Sequence, residues 1–139
     1  MRNKTMVIGS GRLGSNIASH LAEQGNLVDI IDKDQTAFRK LPDDFSGNII
    51  LGDATEMEVL EAVNPENVER VVIVTGNDNV NIYIAHLALN FFDIPKIYIR
   101  LFDTSKGKLI ENTRIQVIYP FNLSIEAFMK LEAGDKKWR

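Results

Sequence analysis

The sequence predicts a doubly wound α/β fold: a six-stranded, mostly parallel sheet of order 3-2-1-4-5-6 with helices on both faces. Three observations carry this expectation. Six short runs rich in Val and Ile alternate with helical patterns from one end of the chain to the other, and alternating β and α units imply right-handed crossovers and parallel strands. Most of these runs lack a polar alternate face, as strands covered on both sides do. A glycine-rich turn joins the first run to the first helical pattern.

Each element has its own signal. The first strand, expected over 5–8, leads through Gly9-Ser10-Gly11-Arg12-Leu13-Gly14 into a helix expected over 12–25. Leu13, Ile17 and Leu21 share one face of that helix, and Gly25 supplies its stop. The second strand, 27–31, ends at Asp32 and precedes a helical pattern at 33–41. The third, 48–51, runs into Gly52-Asp53-Ala54-Thr55 and a helix at 56–63. The fourth, 70–75, closes on Thr75-Gly76-Asn77 before a helix at 78–92. The fifth, 96–101, carries Arg100 and precedes a helical pattern at 104–112. The sixth, 115–119, is closed by Pro120 and followed by a helix at 122–132. Pro42, Pro65 and Pro95 fall in connections, where a missing N–H is tolerated. Residues 1–132 are read as one domain and 133–139 as a C-terminal tail, its last five residues expected to fray.

The helix at 78–92 departs from a simple amphipathic pattern. Val80, Ile82, Tyr83, Ile84, Leu87, Leu89, Phe91 and Phe92 spread around it, so it needs cover beyond its sheet side. A second subunit is the expected cover, with the terminal helix of the same chain as the alternative.

Composition limits what the chain can do. Its 139 residues carry a net charge of −3, with 25% charged and 45% hydrophobic residues and no cysteine. Nothing in that balance attracts nucleic acid or an anionic membrane surface. Without Cys there is no disulfide framework, thiolate nucleophile or Cys-based zinc site. No segment reaches the ~18–20 apolar residues of a membrane span, and a signal-peptide pattern is missing. The expectation is a soluble cytoplasmic protein.

The glycine turn is the chemistry-bearing motif. Its G-x-G-x-x-G pattern follows a predicted strand and opens a predicted helix, the context a dinucleotide fingerprint requires. Gly9 permits the tight turn, Gly11 lets backbone approach a pyrophosphate, and Gly14 allows close helix–strand packing. The helix N-terminus offers N–H groups and positive dipole to phosphate. Asp32, about 20 positions beyond the turn, closes the second strand, where a carboxylate can accept both adenosine ribose hydroxyls. It would also repel a 2′-phosphate. Asp34 reads better as a helix N-terminal residue, and Asp29 lies inside the strand. Arg12 sits at a helix start, where a cation opposes the dipole, so an anion is expected beside it.

Catalytic groups are harder to find. His20 and His86 fall inside predicted helices, no Tyr-x-x-x-Lys pair occurs, and Gly9-Ser10-Gly11 lacks the spacing of a nucleophile elbow. No metal-ligand spacing is present. The length leaves no room for the separate substrate domain that most dehydrogenases add. No catalytic residue is expected.

The run Val7-Ile8-Gly9-Ser10-Gly11-Arg12-Leu13-Gly14, then Ile31-Asp32, then Gly52-Asp53-Ala54-Thr55, resembles the N-terminal nucleotide-binding domain of Trk/Ktr-type potassium uptake regulators and of RCK domains, which regulate K⁺ conductance. The resemblance continues through 71–75, Ile99-Arg100 and Ile118-Tyr119-Pro120. It implies a Rossmann domain that binds NAD(H) or ATP/ADP without turning it over. It also implies a homodimer or ring that acts on a membrane K⁺ transporter or channel subunit, holding the chain at the inner face of the membrane through that partner. Asp32, with Lys33 beside it, would hold the ribose, and Asp53, Ala54 and Thr55 would frame the adenine. Arg12 and Arg100 would reach towards phosphates, and Thr75, Gly76 and Asn77 would lie near the far side of the nucleotide. The chain departs from the family in ending soon after its last predicted helix, as a truncated or stand-alone module would. It also has Asn112-Thr113-Arg114 where a glycine-containing turn is usual. The competing expectations are a small NAD-dependent oxidoreductase completed by a partner chain and an assembly module with a vestigial site.

Overall fold

A computed structural model of the protein describes residues 1–134; the predicted frayed end, 135–139, lies outside the described residues. Six strands, β1 (Lys4–Ile8), β2 (Leu27–Asp32), β3 (Asn48–Leu51), β4 (Val68–Ile73), β5 (Lys96–Arg100) and β6 (Gln116–Ile118), form one sheet of order β3-β2-β1-β4-β5-β6. Every pairing is parallel. The parallel direction is that which the alternation predicts, and the order is the expected Rossmann order. The strand sequence reverses between β1 and β4, which makes their junction the topological switch point.

Period-two alternation divides the core between the two faces of the sheet. Met6, Ile8, Ile31, Val71, Ile73 and Ile99 face α2 (Met57–Ala62) and α3 (Asp78–Asn90). Val7, Val28, Ile30, Val72 and Val74 face α1 (Arg12–Glu23) and the segment around Phe38. Burying each such Val or Ile stabilises the fold by about 1.5–3 kcal/mol. The edge of the sheet opposite the strands' carboxyl ends is closed by Arg2, whose guanidinium donates to the carbonyls of Pro65, Val68 and Phe92. Asp29 is not at a ligand edge: it is buried, 2.8 Å from Lys4 Nζ, and accepts from Asn48 Nδ2.

Several expectations need correction. The helical patterns at 33–41 and 104–112 form only short 3₁₀ segments, Gln35–Lys40 and Thr104–Leu109. Pro42 stops the first, and Gly107 weakens the second. With so slight a crossover beside it, edge strand β3 is uncovered, leaving Ile49 and Leu51 exposed. The fourth strand runs over Val68–Ile73 instead of 70–75: it begins where Val68 pairs with Lys4, and beyond its end the side chain of Asn81, not a neighbouring strand, takes the Thr75 N–H. Pro120 does more than close the last strand, since it is the first residue of α4 (Pro120–Glu132). Asn112 takes the left-handed φ of 62° for which a glycine is usual.

The cover of α3 also differs from expectation. Ile82, Ile84, Ala85, Leu87 and Ala88 are buried within the chain. Ile110 and Ile115 share their cluster, and the His86 ring meets the Leu109 carbonyl. The terminal helix takes no part: every described residue from 121 onward is exposed. Tyr83 on α3 and Phe91 just past its end stay uncovered, and on α4 Phe121, Leu123, Ile125, Phe128, Met129 and Leu131 are all more than half exposed.

Candidate functional site

A cavity of about 590 Å³ opens at the carboxyl ends of the strands, against the β1–β4 switch point. Its volume lies in the ~300–1,000 Å³ range of small-molecule sites. The glycine turn forms its floor. Gly9 has φ +102°, and a Cβ there would lie 2.9 Å from the Val74 carbonyl oxygen. A Cβ on Gly14 would collide with the Gly9 carbonyl oxygen. Fold geometry alone requires these two glycines. Gly11 is different: its φ is −74°, and a Cβ built on it meets no atom within 4 Å. No side chain caps α1, whose first turn begins at the next residue. Its N–H groups and dipole therefore make an anion-binding end beside the cavity.

Asp32 lines the cavity beside the turn. Its Oδ2 accepts from the Ser10 N–H at 2.7 Å, and its Oδ1 from the Asp34 N–H at 2.8 Å. The carboxylate is held by two loops, and each oxygen keeps capacity for a further hydrogen bond. Beyond it, Asp53 Oδ1 accepts from the Thr55 hydroxyl at 2.6 Å and the Thr55 N–H at 2.9 Å. Those bonds, the hydroxyl's first, lower its pKa, with a smaller contribution from Lys33. Asp34 caps the following 3₁₀ segment through Thr36, as expected of a helix-start residue, and also lines the cavity.

The far wall is a hydrogen-bonded block at the ends of β4 and β5. Arg100 Nη2 donates to the carbonyls of Val74 and Thr75, each at 3.1 Å. Its guanidinium carbon stands 4.8 Å from the centroid of the Phe102 ring, and its buried Nε has no partner. Burial lowers the Arg100 pKa, offset in part by Asp78, but the group stays cationic at neutral pH. Asn77 caps α3 by accepting from the Val80 N–H. A Cβ on Gly76, as on Gly11, would meet nothing.

The structure thus brings Gly9, Gly11, Asp32, Lys33, Asp53, Ala54, Thr55, Thr75, Gly76, Asn77 and Arg100 onto one cavity. It does not bring Ser10, Arg12, Leu13 or Gly14 to the lining. The Ser10 side chain is buried against Ser15, and Leu13 packs into the core. Gly14 supports the turn from below, and Arg12 is exposed at the first position of α1. Sequence reasoning missed the apolar wall formed by Val80 and Ile84, whose i, i+4 spacing at the start of a helix was the available signal. His20 and His86 lie within α1 and α3, away from the cavity. Among the described residues, no group of three or more His, Cys, Asp or Glu could hold a metal ion. No helix among them is long and apolar enough to cross a membrane.

A 3-2-1-4-5-6 parallel sheet with a glycine turn beneath its switch-point cavity defines the Rossmann class of domains. Within that class, the TrkA-N domain model matches residues 5–120, and the chain belongs to the TrkA-N domain family. It is 29% identical over 113 residues to the Trk system potassium uptake protein TrkA of Streptomyces coelicolor, covering 81% of this chain and 51% of that protein. It is 32% identical over 109 residues to the TrkA homolog of Pyrococcus abyssi, covering 78% and 48%. The chain spans about half the length of these curated relatives. Among solved structures, the TrkA-N domain of the inner membrane protein ybaL from Escherichia coli superposes with a TM-score of 0.82 at 17% identity, covering 94% of this chain and 97% of that one. The GsuK channel bound to NAD superposes with a TM-score of 0.71 at 13% identity, covering 85% and 21%. GsuK bound to ADP gives 0.73 at 13% identity, covering 88% and 32%. At these identities the structural matches establish the fold.

Proposed function

We propose that the chain binds an adenine nucleotide, NAD(H) or ATP/ADP, in the switch-point cavity as the sensing domain of a cytoplasmic regulator of K⁺ transport. The observation that carries this reading is Gly11. Neither its backbone angle nor its packing needs a glycine, yet it borders the cavity next to Ser10, whose N–H donates to Asp32. A close-approaching ligand accounts for it. Asp32 would take ribose hydroxyls, Asp53, Ala54 and Thr55 would border the adenine, and the start of α1 together with Arg100 would face the phosphates. The names of the relatives support the potassium-transport context, and the NAD- and ADP-bound GsuK structures support the ligand class.

Transmission would run through a homodimer or a larger ring to a membrane K⁺ transporter or channel subunit, keeping the chain at the inner face of the membrane. The exposed apolar residues of α4 support a second copy as the cover. Nucleotides that favour different dimer geometries would shift their populations, and the partner would respond to that shift. The cavity would bind its nucleotide without converting it. Isothermal titration with NAD⁺, NADH, ATP and ADP tests the binding step. Saturable heat from at least one is expected, and a folded sample silent towards all four would refute the reading.

A further inference from the structure

We infer that Asn81, which does not itself line the cavity, is a positioning residue that fixes Arg100 for contact with a nucleotide phosphate; this rests on the nucleotide reading above. Asn81 has no exposed surface, and the other buried positions of α3 are Ile82, Ile84, Ala85, Leu87 and Ala88. An apolar residue is the default in such a setting, because a buried carboxamide is unfavourable unless its hydrogen bonds are made. Here they are made, and all go to two residues of the cavity wall. Oδ1 accepts from the N–H and the hydroxyl of Thr75. Nδ2 donates to the Thr75 carbonyl at 3.2 Å and to the Arg100 carbonyl at 2.9 Å.

Arg100 completes the loop, since its Nη2 donates to the same Thr75 carbonyl. Asn81 therefore holds Arg100 at both ends: directly at its backbone, and through Thr75 at its guanidinium. The Thr75 hydroxyl is committed to Asn81 and its carbonyl to Asn81 and Arg100, so Thr75 acts as the strut between them. An amide is the one short side chain that accepts on one side and donates on the other. Aspartate would turn both donated bonds into repulsions.

The test is a double-mutant cycle on Asn81→Ala and Arg100→Ala, read with two probes. ATP carries phosphates and is followed by calorimetry; adenosine carries none and is followed by ligand-observed NMR titration. Asn81→Ala should weaken ATP about tenfold, as loss of a contact worth ~1.4 kcal/mol would, and leave adenosine within about twofold. On the Arg100→Ala background, the same change should cost ATP less than about twofold. Should the alanine variant fail to fold by circular dichroism, Asn81→Leu replaces it in the cycle, since it keeps the branched shape, loses the hydrogen bonds and adds no charge. Equal weakening of ATP and adenosine, or losses that multiply across the cycle, would overturn the role of Asn81 and leave the nucleotide site standing. A wild-type chain that binds neither probe would remove both.

Discussion

At the scale of single residues, the glycine turn holds three glycines for two different reasons. Gly14→Ala would drive a Cβ into the Gly9 carbonyl, so we expect a loss of about 3 kcal/mol on denaturant unfolding. Gly11→Ala meets open space at an ordinary φ. It should unfold within about 0.5 kcal/mol of wild type and weaken adenine-nucleotide binding at least tenfold in calorimetry. Unchanged binding in that variant would remove the main support for the site. Asp32 and the two structural glycines were legible because fixed spacing within one βαβ unit dictates where they go. Arg12 was not, because a loop motif does not say which way a long side chain turns, and this one is exposed off the cavity lining. Asn81 carried no signal at all. Its importance lies in hydrogen bonds to residues 75 and 100, which only the folded chain brings together.

At the scale of elements, parallel pairing followed from alternation and sheet order from the Rossmann reading of the glycine turn, whereas helix type did not follow from pattern. The stretches at 35–40 and 104–109 show helical spacing but are too short, and too close to Pro42 or interrupted by Gly107, to become α-helices. Apolar content all around α3 pointed to cover beyond the sheet, but most of that cover is internal, and the larger exposed apolar surface belongs to α4. Because α4 buries nothing within the described chain, charged substitutions on it should separate folding from association. Ile125→Glu combined with Phe128→Glu is expected to change unfolding free energy by less than about 0.5 kcal/mol per site. The same pair should shift sedimentation velocity towards the monomer, and an unaltered dimer would place the contact elsewhere.

At the scale of the whole molecule, one device recurs along the ligand edge. Asp34, Asp53 and Asp103 each accept the N–H and the hydroxyl of the residue two positions on, after β2, β3 and β5. Those bonds lower all three pKa values. A carboxylate whose folded pKa lies below its unfolded one adds stability above the unfolded value and loses it as pH falls through the folded one. Thermal unfolding should therefore drop as pH is lowered below about 3.9, and less steeply when all three are replaced by Asn. Asn keeps the acceptor oxygen but binds no proton in that range. Equal acid slopes in the two proteins would assign the loss to other carboxylates.

The seam between β1 and β4 has a consequence for how the molecule comes apart. Residues up to Ala62 carry Gly11, Asp32 and Asp53, while those from Val68 onward carry Thr75, Asn77 and Arg100. Arg2 and Lys4 reach from the first half to carbonyls of the connection between them, at Pro65 and Val63. Cleaving the chain near Asn64, where φ is already left-handed at 54°, would yield two fragments, each bearing half of the cavity. Any molecule that spans the cavity would act as a clasp, and its affinity would be readable as fragment reassembly.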